Sequence, residues 1–131
     1  MTVVIAASLA LPFVHAYLRA FEQKTAAELS AFGGKMTAKA GVAFVKKHWP
    51  FSQAHDLAAD LADHAKGDGS ESRVAFHRVT TASHADYEDI RQREMTHGPD
   101  NARIITTLGA YRVDPPPPGL PALTDLEVLA Y

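Results

Sequence analysis

The chain has 131 residues, of which 47% are hydrophobic and 21% charged, a composition typical of one globular domain rather than of a disordered tail or a fibre. Its net charge of -2 provides no molecule-wide positive field for nucleic acid or an anionic membrane, so any polyanion site must be local. The absence of cysteine excludes disulfides, thiolate metal sites and a cysteine nucleophile, and favours a reducing compartment, the cytoplasm.

The first apolar segment predicts a strand that leads into a helix. Val3 to Ala6 is a short β-branched run, which is typical of a strand buried on both faces. From Leu11 the apolar residues recur at helical spacing, with Pro12 suited to the first turn and Gly33 to the C-terminal cap. The segment is shorter than the roughly 20 residues that a membrane span needs.

The middle of the chain predicts a second strand and a second helix. Met36 to Val45 is rich in small and apolar residues, and Gly41 within it indicates a place where a neighbour packs close to the backbone. Ser52 can cap a helix that runs through Lys66 and is closed by Gly67. Its narrow apolar stripe of small residues, suited to close packing on a sheet, comprises Ala54, Leu57, Ala58, Leu61 and Ala65.

The last part of the chain predicts one more strand and several peripheral segments. Residues 73–79 indicate a strand, and a capping box at 83–86 opens a helix through Met95. Residues 104–113 are a weaker extended segment, 115–118 a polyproline II spacer, and 124–131 a terminal helix. The order strand, helix, strand, helix, strand with peripheral pieces predicts an α+β fold.

The usual catalytic signatures are missing from the sequence. The seven histidines are scattered without metal-ligand spacing, and no nucleophile elbow, P-loop or dinucleotide fingerprint is present. Asp60 and His64 share one face of the second helix, which we interpret as a solvated face and not as a metal site.

One stretch of the chain is locally basic. Between Glu28 and Asp56 there is no acidic residue, and the stretch contains Lys35, Lys39, Lys46 and Lys47. Two interpretations stay open: a surface that attracts anions such as phosphate, or lysines that protect a strand edge from association. Lys66 is separate from this stretch, and its position at a helix end is explained by the helix dipole.

Several motifs together resemble a known family. The stretch 37–66 contains Ala-Gly-Val, Lys-Lys-His-Trp-Pro-Phe and Ala-Lys, and Val74-Ala75-Phe76-His77 follows it. This pattern resembles the second half of a GGDEF-like palm domain, and more narrowly the palm of the large subunit of type III CRISPR effector complexes. The segments 90–94 and 106–111 are also similar to those that follow this palm, so the resemblance covers about residues 2–130.

The resemblance implies a partial ferredoxin-like (GGDEF/nucleotide-cyclase-like) palm in residues 1–80. It implies a helical and Pro-rich C-terminal extension in 81–131, in a chain truncated at both ends. Active members of the family join ATP into cyclic oligoadenylates when the complex binds target RNA, through a Gly-Gly-Asp-Asp metal motif before a strand like Thr2 to Ala6. This motif is absent here, because Gly33-Gly34 is followed by Lys35. The resemblance therefore implies a chain without catalytic residues or metal ligands, inactive alone.

The same resemblance implies a residual nucleotide site. Lys66 matches the lysine that contacts the triphosphate, and Gly41 matches a position of close approach. Lys39 stands where the family more often has a small residue, which alters the geometry around the nucleotide. No cofactor is expected for this chain, whereas Mg or Mn and ATP are implied for an intact parent. The implied partners are other effector-complex subunits, guide and target RNA indirectly, and ATP weakly, with no membrane.

Two other functions stay open, a non-catalytic protein-interaction module and a degenerate diguanylate cyclase-like domain. The second is disfavoured, because His64 to Gly69 lacks the aromatic-x-Ala-Lys-x-x-Gly-Arg-Asn pattern of those domains. In a palm, the first strand lies between a strand like Val3 to Ala6 and the later strands. Without that strand we expect self-association through a sheet edge or marginal stability, unless residues 104–113 fill the gap.

Overall fold

The computed structural model describes residues 1–34, 36–67, 70–80, 87–99, 104–105, 110–113 and 122. Three helices and a small mixed sheet confirm the predicted α+β class. The helices are α1 (Ala7–Glu28), α2 (Phe51–Lys66) and α3 (Tyr87–Glu94), and a 3-10 turn follows α1 at Ser30–Phe32. The strands are β1 (Lys39–Phe44), β2 (Arg73–Arg78), β3 (Thr96–His97), β4 (Ile104–Ile105) and β5 (Tyr111–Arg112).

The main sheet has the order β1-β2-β5. Strands β1 and β2 are parallel, with Lys39 opposite Arg73, and α2 forms the connection between them. Strand β5 adds to the other side of β2 in the antiparallel direction, with Arg112 opposite Arg73. Strands β3 and β4 form a separate two-stranded ribbon. The predicted segment 104–113 is therefore divided between two sheets.

Helices cover both faces of the main sheet. On one face Ala75 packs with Leu57 and Leu61 of α2, and α3 joins the same cluster through Tyr87 and Ile90. On the other face the buried cluster comprises Ala10 of α1, Val42 of β1 and Val74 of β2. Successive residues of a strand point to opposite faces, so alternate residues of β1 and β2 supply the two clusters.

Gly41 is a point of close contact between β1 and α2. A Cβ atom at this position would lie 2.5 Å from the backbone nitrogen of Ala62, and closer still to the carbonyl oxygen of Ala58. The predicted close approach at Gly41 is thus confirmed, and its neighbour is the backbone of helix α2.

The predicted strand at Val3 to Ala6 is wrong. Residues 1–6 form no strand, and Val3, Val4 and Ile5 are exposed. A run of this kind forms a strand when neighbouring strands pair with it, and the described strands pair elsewhere. Helix α1 therefore begins at Ala7, earlier than predicted, and Pro12 lies inside the helix and not in its first turn.

Other boundaries differ by a few residues. Strand β1 is shorter than the predicted 36–45, whereas β2 ends one residue before the predicted Val79. Ser52 is not the cap of α2: the helix begins at Phe51 after Pro50, whose fixed φ of -59° suits a helix entry. The predicted glycine cap of α2 is confirmed at Gly67, whose φ is positive. The predicted cap of the first helix is wrong: α1 ends at Glu28 with Leu29 as its C-cap, and Gly33 caps the 3-10 turn that follows, because that turn continues the chain past the helix end.

Several predicted features lie outside the described residues. These are the capping box at 83–86, the polyproline spacer at 115–118 and the terminal helix at 124–131. Helix α3 ends at Glu94, one residue before the predicted end. None of the described helices is long and apolar enough to cross a membrane.

Candidate anion-binding site

Three basic side chains stand in one row across the main sheet. Lys39 of β1 lies opposite Arg73 of β2, and Arg73 lies opposite Arg112 of β5. Residues that are directly opposite in a sheet project from the same face, so the three cations are neighbours. We call Lys39, Arg73 and Arg112 the cationic row.

The directions of the strands and of α2 explain why the end of this helix lies near the cationic row, at the end of the sheet where β1 and β2 begin. Strands β1 and β2 are parallel, so α2 must run back in the opposite direction between them. The end of α2 therefore lies near the starts of both strands. A Cβ at Gly67, just after α2, would be 2.9 Å from Nη1 of Arg73, which shows this proximity directly.

Glu71 bridges the cationic row from the loop before β2. Its two carboxylate oxygens accept from different arginines, at 2.7 Å from Nη2 of Arg112 and 3.2 Å from Nη2 of Arg73. Nζ of Lys39 donates to the main-chain carbonyl of Glu71. One residue thus contacts all three cations.

The backbone beside Glu71 is held by both neighbouring strands. The buried Ser72 accepts a hydrogen bond at its Oγ from the amide of Ala38, at 3.1 Å. Its carbonyl oxygen accepts from the amide of Val113, also at 3.1 Å. The loop that carries Glu71 is therefore fixed where the three strands begin or end.

The cations of the row affect one another. Burial lowers the pKa of Lys39, and the positive charges of Arg73 and Arg112 lower it further. The negative charges of Glu71 and Glu22 raise it. A hydrogen bond to its own backbone, together with the two arginines, lowers the pKa of Glu71 and keeps it ionised.

The arginines also retain donors without a partner. The Nε atoms of Arg73 and Arg112 are buried and have no hydrogen-bond partner within the described part of the chain. Three neighbouring cations around one bridging carboxylate suit an anion that carries several oxygens, such as a phosphate group.

Two of the site residues predicted from the sequence fall at this end of the fold. Lys39 belongs to the row itself. Lys66 is the last residue of α2, immediately before Gly67; its side chain is 68% exposed and pairs with Asp63. Gly41 lies further along β1 on the face that α2 covers, so helix α2 takes up the close approach that the sequence indicates there.

The basic stretch of the sequence does not form one surface. Lys39 lies at the start of β1, whereas Lys46 and Lys47 follow its other end, where both side chains are exposed. Lys35 lies outside the described residues.

Sequence reasoning missed Arg73 and Arg112. Arg73 could have been found from the sequence, because it is a cation at the first residue of a predicted strand. In the structure it lies opposite the first residue of β1. Arg112 has no such signal, because its place depends on the register of a two-residue strand.

A concave region, separate from the cationic row, lies between α2 and α3. Asp60, Asp63, His64, Tyr87 and Glu88 line a depression of about 360 Å³. The His64 ring stands edge-on to Tyr87, with centroids 5.1 Å apart, and burial, followed by the charge of Arg91, lowers the pKa of His64. No three His, Asp or Glu side chains come together as a metal site among the residues that the structure describes.

Comparisons with protein-family models, with curated proteins and with solved structures found no match. The resemblance to the palm therefore rests on the sequence motifs alone.

Proposed function

We propose that this chain is a palm-like domain related to the large subunit of type III CRISPR effector complexes, which binds the triphosphate of ATP and is catalytically inactive alone. The observation that carries the proposal is the cationic row bridged by Glu71, at the same end of the fold as Lys66. ATP carries several phosphate oxygens close together, which is the chemistry that this row accepts.

The succession of elements supports the palm interpretation. Strand β1, helix α2 and strand β2 fall on the segments that carry the resemblance, and Gly41 packs against the helix that follows it. The pairing of Tyr111–Arg112 with β2 supports the version in which the late segment completes the sheet. We therefore propose a palm in which β5 of the same chain pairs with the edge of β2 that would otherwise be open.

The proposed binding uses the chain's own donors. Arg73 and Arg112 can each offer two parallel N–H groups to phosphate oxygens, and Lys39 adds a point charge. Lys66, on the exposed end of α2, would reach the outermost phosphate. These groups orient and neutralise the triphosphate, and they supply no nucleophile or base.

A catalytic metal does not fit the described residues at this end. The Mg²⁺ or Mn²⁺ of a phosphoryl-transfer site needs carboxylate ligands, and Glu71 is committed to two arginines. Three neighbouring cations further oppose a divalent ion. We therefore derive no metal-dependent step for this chain.

The first prediction is that ATP binding depends on the cationic row. Isothermal titration should show weak binding that declines with added salt, because exposed charge interactions are screened. Arg112→Gln should weaken it about tenfold, equivalent to about 1.4 kcal/mol. Lys66→Ala should weaken it less, about twofold to threefold, because that side chain is exposed and paired with Asp63.

Arg93→Gln is the matched control for this titration. Arg93 is an exposed residue of α3 that pairs with Asp89 at 3.8 Å, so the substitution removes the same charge away from the row. Thermal melting of each variant separates lost binding from lost folding. ATP binding that is equal in wild type and Arg112→Gln would refute the site. A preference for GTP over ATP would favour the diguanylate cyclase-like alternative.

The second prediction is catalytic silence. Purified protein incubated with ATP and Mg²⁺ or Mn²⁺ should give no linear or cyclic oligoadenylate above a blank, because no carboxylate pair is available to hold two metal ions at the row. Product is measured by chromatography of the reaction. A robust product ladder that Arg112→Gln abolishes would contradict the proposal.

One observation favours a second candidate function, the non-catalytic interaction module. Leu9, Phe13 and Tyr17 lie one turn apart on α1 and are each at least 39% exposed, with the Phe13 and Tyr17 rings stacked at 6.2 Å. An exposed apolar stripe of this kind is typical of a docking surface. Loss of assembly with other effector subunits in Phe13→Ser, together with no ATP binding in wild type, would favour this function over the first.

A further inference from the structure

Glu71 is more exposed than the two arginines with which it pairs. Its side chain is 34% exposed, whereas Arg73 is 21% exposed and Arg112 only 11%. Each carboxylate oxygen contacts a different guanidinium group, so one carboxylate occupies a donor on each arginine. An anion that binds these same guanidinium donors must therefore displace Glu71.

We propose that Glu71 is an intramolecular competitor that occupies the place of a ligand phosphate and sets the affinity of the cationic row. This inference rests on the proposed function, because it concerns the same site. A ligand must replace both arginine contacts to displace Glu71. Anions with several charged oxygens, such as pyrophosphate or a nucleoside triphosphate, can replace both contacts at once.

The site can release Glu71 without opening the sheet. The backbone at this point is held by the hydrogen bonds of Ser72 to Ala38 and Val113, which do not involve the Glu71 side chain. Rotation of that side chain alone would free both guanidinium groups. The donors that bind the ligand are thus in place before it arrives, and the cost of binding is the loss of two ion pairs.

The experiment measures pyrophosphate and ATP binding by isothermal titration in wild type and Glu71→Gln. We expect the variant to bind both ligands about tenfold more tightly, the size of effect typical of hydrogen bonds to charged groups. The gain should be the same factor for the two ligands, because the same two contacts are broken whichever ligand enters.

Glu88→Gln is the matched control. Glu88 is a 63% exposed residue of α3 that pairs with Arg91 at 3.9 Å, and its substitution changes the net charge by the same amount. We expect less than a twofold effect there. Affinity that is unchanged or weaker in Glu71→Gln, a gain that grows with ligand charge, or a gain equal to that of Glu88→Gln would overturn the inference.

A second measurement uses the unaltered protein, in case Glu71→Gln folds poorly. Addition of pyrophosphate to the labelled wild type should shift the carboxyl carbon resonance of Glu71 as it leaves the arginines. A ligand that binds without moving this resonance would overturn the competitor role and leave the ATP site intact. Failure of wild type and Glu71→Gln alike to bind either ligand would instead refute the proposed function itself.

Discussion

Gly41 is the residue at which the packing of β1 on α2 leaves no room for a side chain. The Cβ of an alanine there would overlap the carbonyl oxygen of Ala58 and crowd the nitrogen of Ala62, and both are backbone atoms that cannot rotate away. Relief of this contact would require helix α2 to move off the strand. The position thus ties the sheet to the helix whose end lies beside the cationic row.

We therefore expect Gly41→Ala to destabilise the protein by about 3 kcal/mol or more, at the upper end of the cost of overpacking. Gly34→Ala is the control, because a Cβ there meets nothing within 4 Å and the backbone φ is not positive. Urea unfolding followed by circular dichroism measures both. Equal stability of the two variants would show that α2 does not pack on β1 as described.

At the scale of single residues, the sequence predicted what depends on local chemistry. It predicted the close approach at Gly41 and the cap of α2 at Gly67, since glycine has a distinct physical meaning at such positions. Its assignment of Lys39 to an anion site stays a prediction, and the structure places this residue opposite Arg73. Sequence reasoning missed Arg112, because the partner of that side chain is fixed by pairing between strands far apart in the chain.

At the scale of elements, β1 is an edge strand: one of its sides is hydrogen-bonded to β2, and the other pairs with no described strand. Its neighbour β2 donates from Arg73 to the carbonyl of Ala38, and Val79 donates to the carbonyl of Phe44. In a parallel ladder the N–H and C=O of one residue point to the same side. The backbone N–H and C=O groups of Ala40, Val42 and Phe44 therefore point toward β2. Those of Gly41 and Ala43 point away from it, to a side where no described strand pairs.

This geometry predicts alternating hydrogen exchange along β1. The amides of Ala40, Val42 and Phe44 should exchange slowly, and those of Gly41 and Ala43 at least tenfold faster, because the last two lack a partner in the described sheet. Amide exchange measured by NMR on the free protein tests this. Uniform protection of all five amides would mean that another strand covers this edge.

The elements that the sequence predicted best are those with a strong period or a clear stop. Strand β2 matches within one residue at each end, and helix α2 ends at the predicted residue and begins two residues earlier than predicted, because small apolar residues recur at helical spacing and a glycine closes the helix. The N-terminal strand failed because an apolar run specifies burial only if a partner strand exists. Strand β5 could not be predicted, since two residues carry no period.

At the scale of the whole molecule, the open edge of β1 and the helix α1 that packs on this strand have opposite effects on self-association. An unpaired edge favours association with a second copy. However, α1 packs more extensively on the edge strand β1 than on any other strand. Two copies joined along β1 would place two α1 helices about 5 Å apart, the spacing of neighbouring strands, whereas packed helices need about 8–10 Å. Helix α1 thus blocks pairing of this kind.

We therefore expect the isolated protein to be a monomer of low stability, and not a dimer joined along β1. Large apolar side chains such as Val4 and Leu9 stay exposed, which leaves less buried area to offset the entropy of folding. The free energy of unfolding should lie at or below about 5 kcal/mol, the low end of the usual range. Light scattering after size exclusion, from low to high micromolar concentration, and urea unfolding measure the two quantities. A concentration-independent dimer that Ala43→Pro converts to monomer would contradict the expectation, because this substitution removes an amide of the free edge without removing a hydrogen bond to β2.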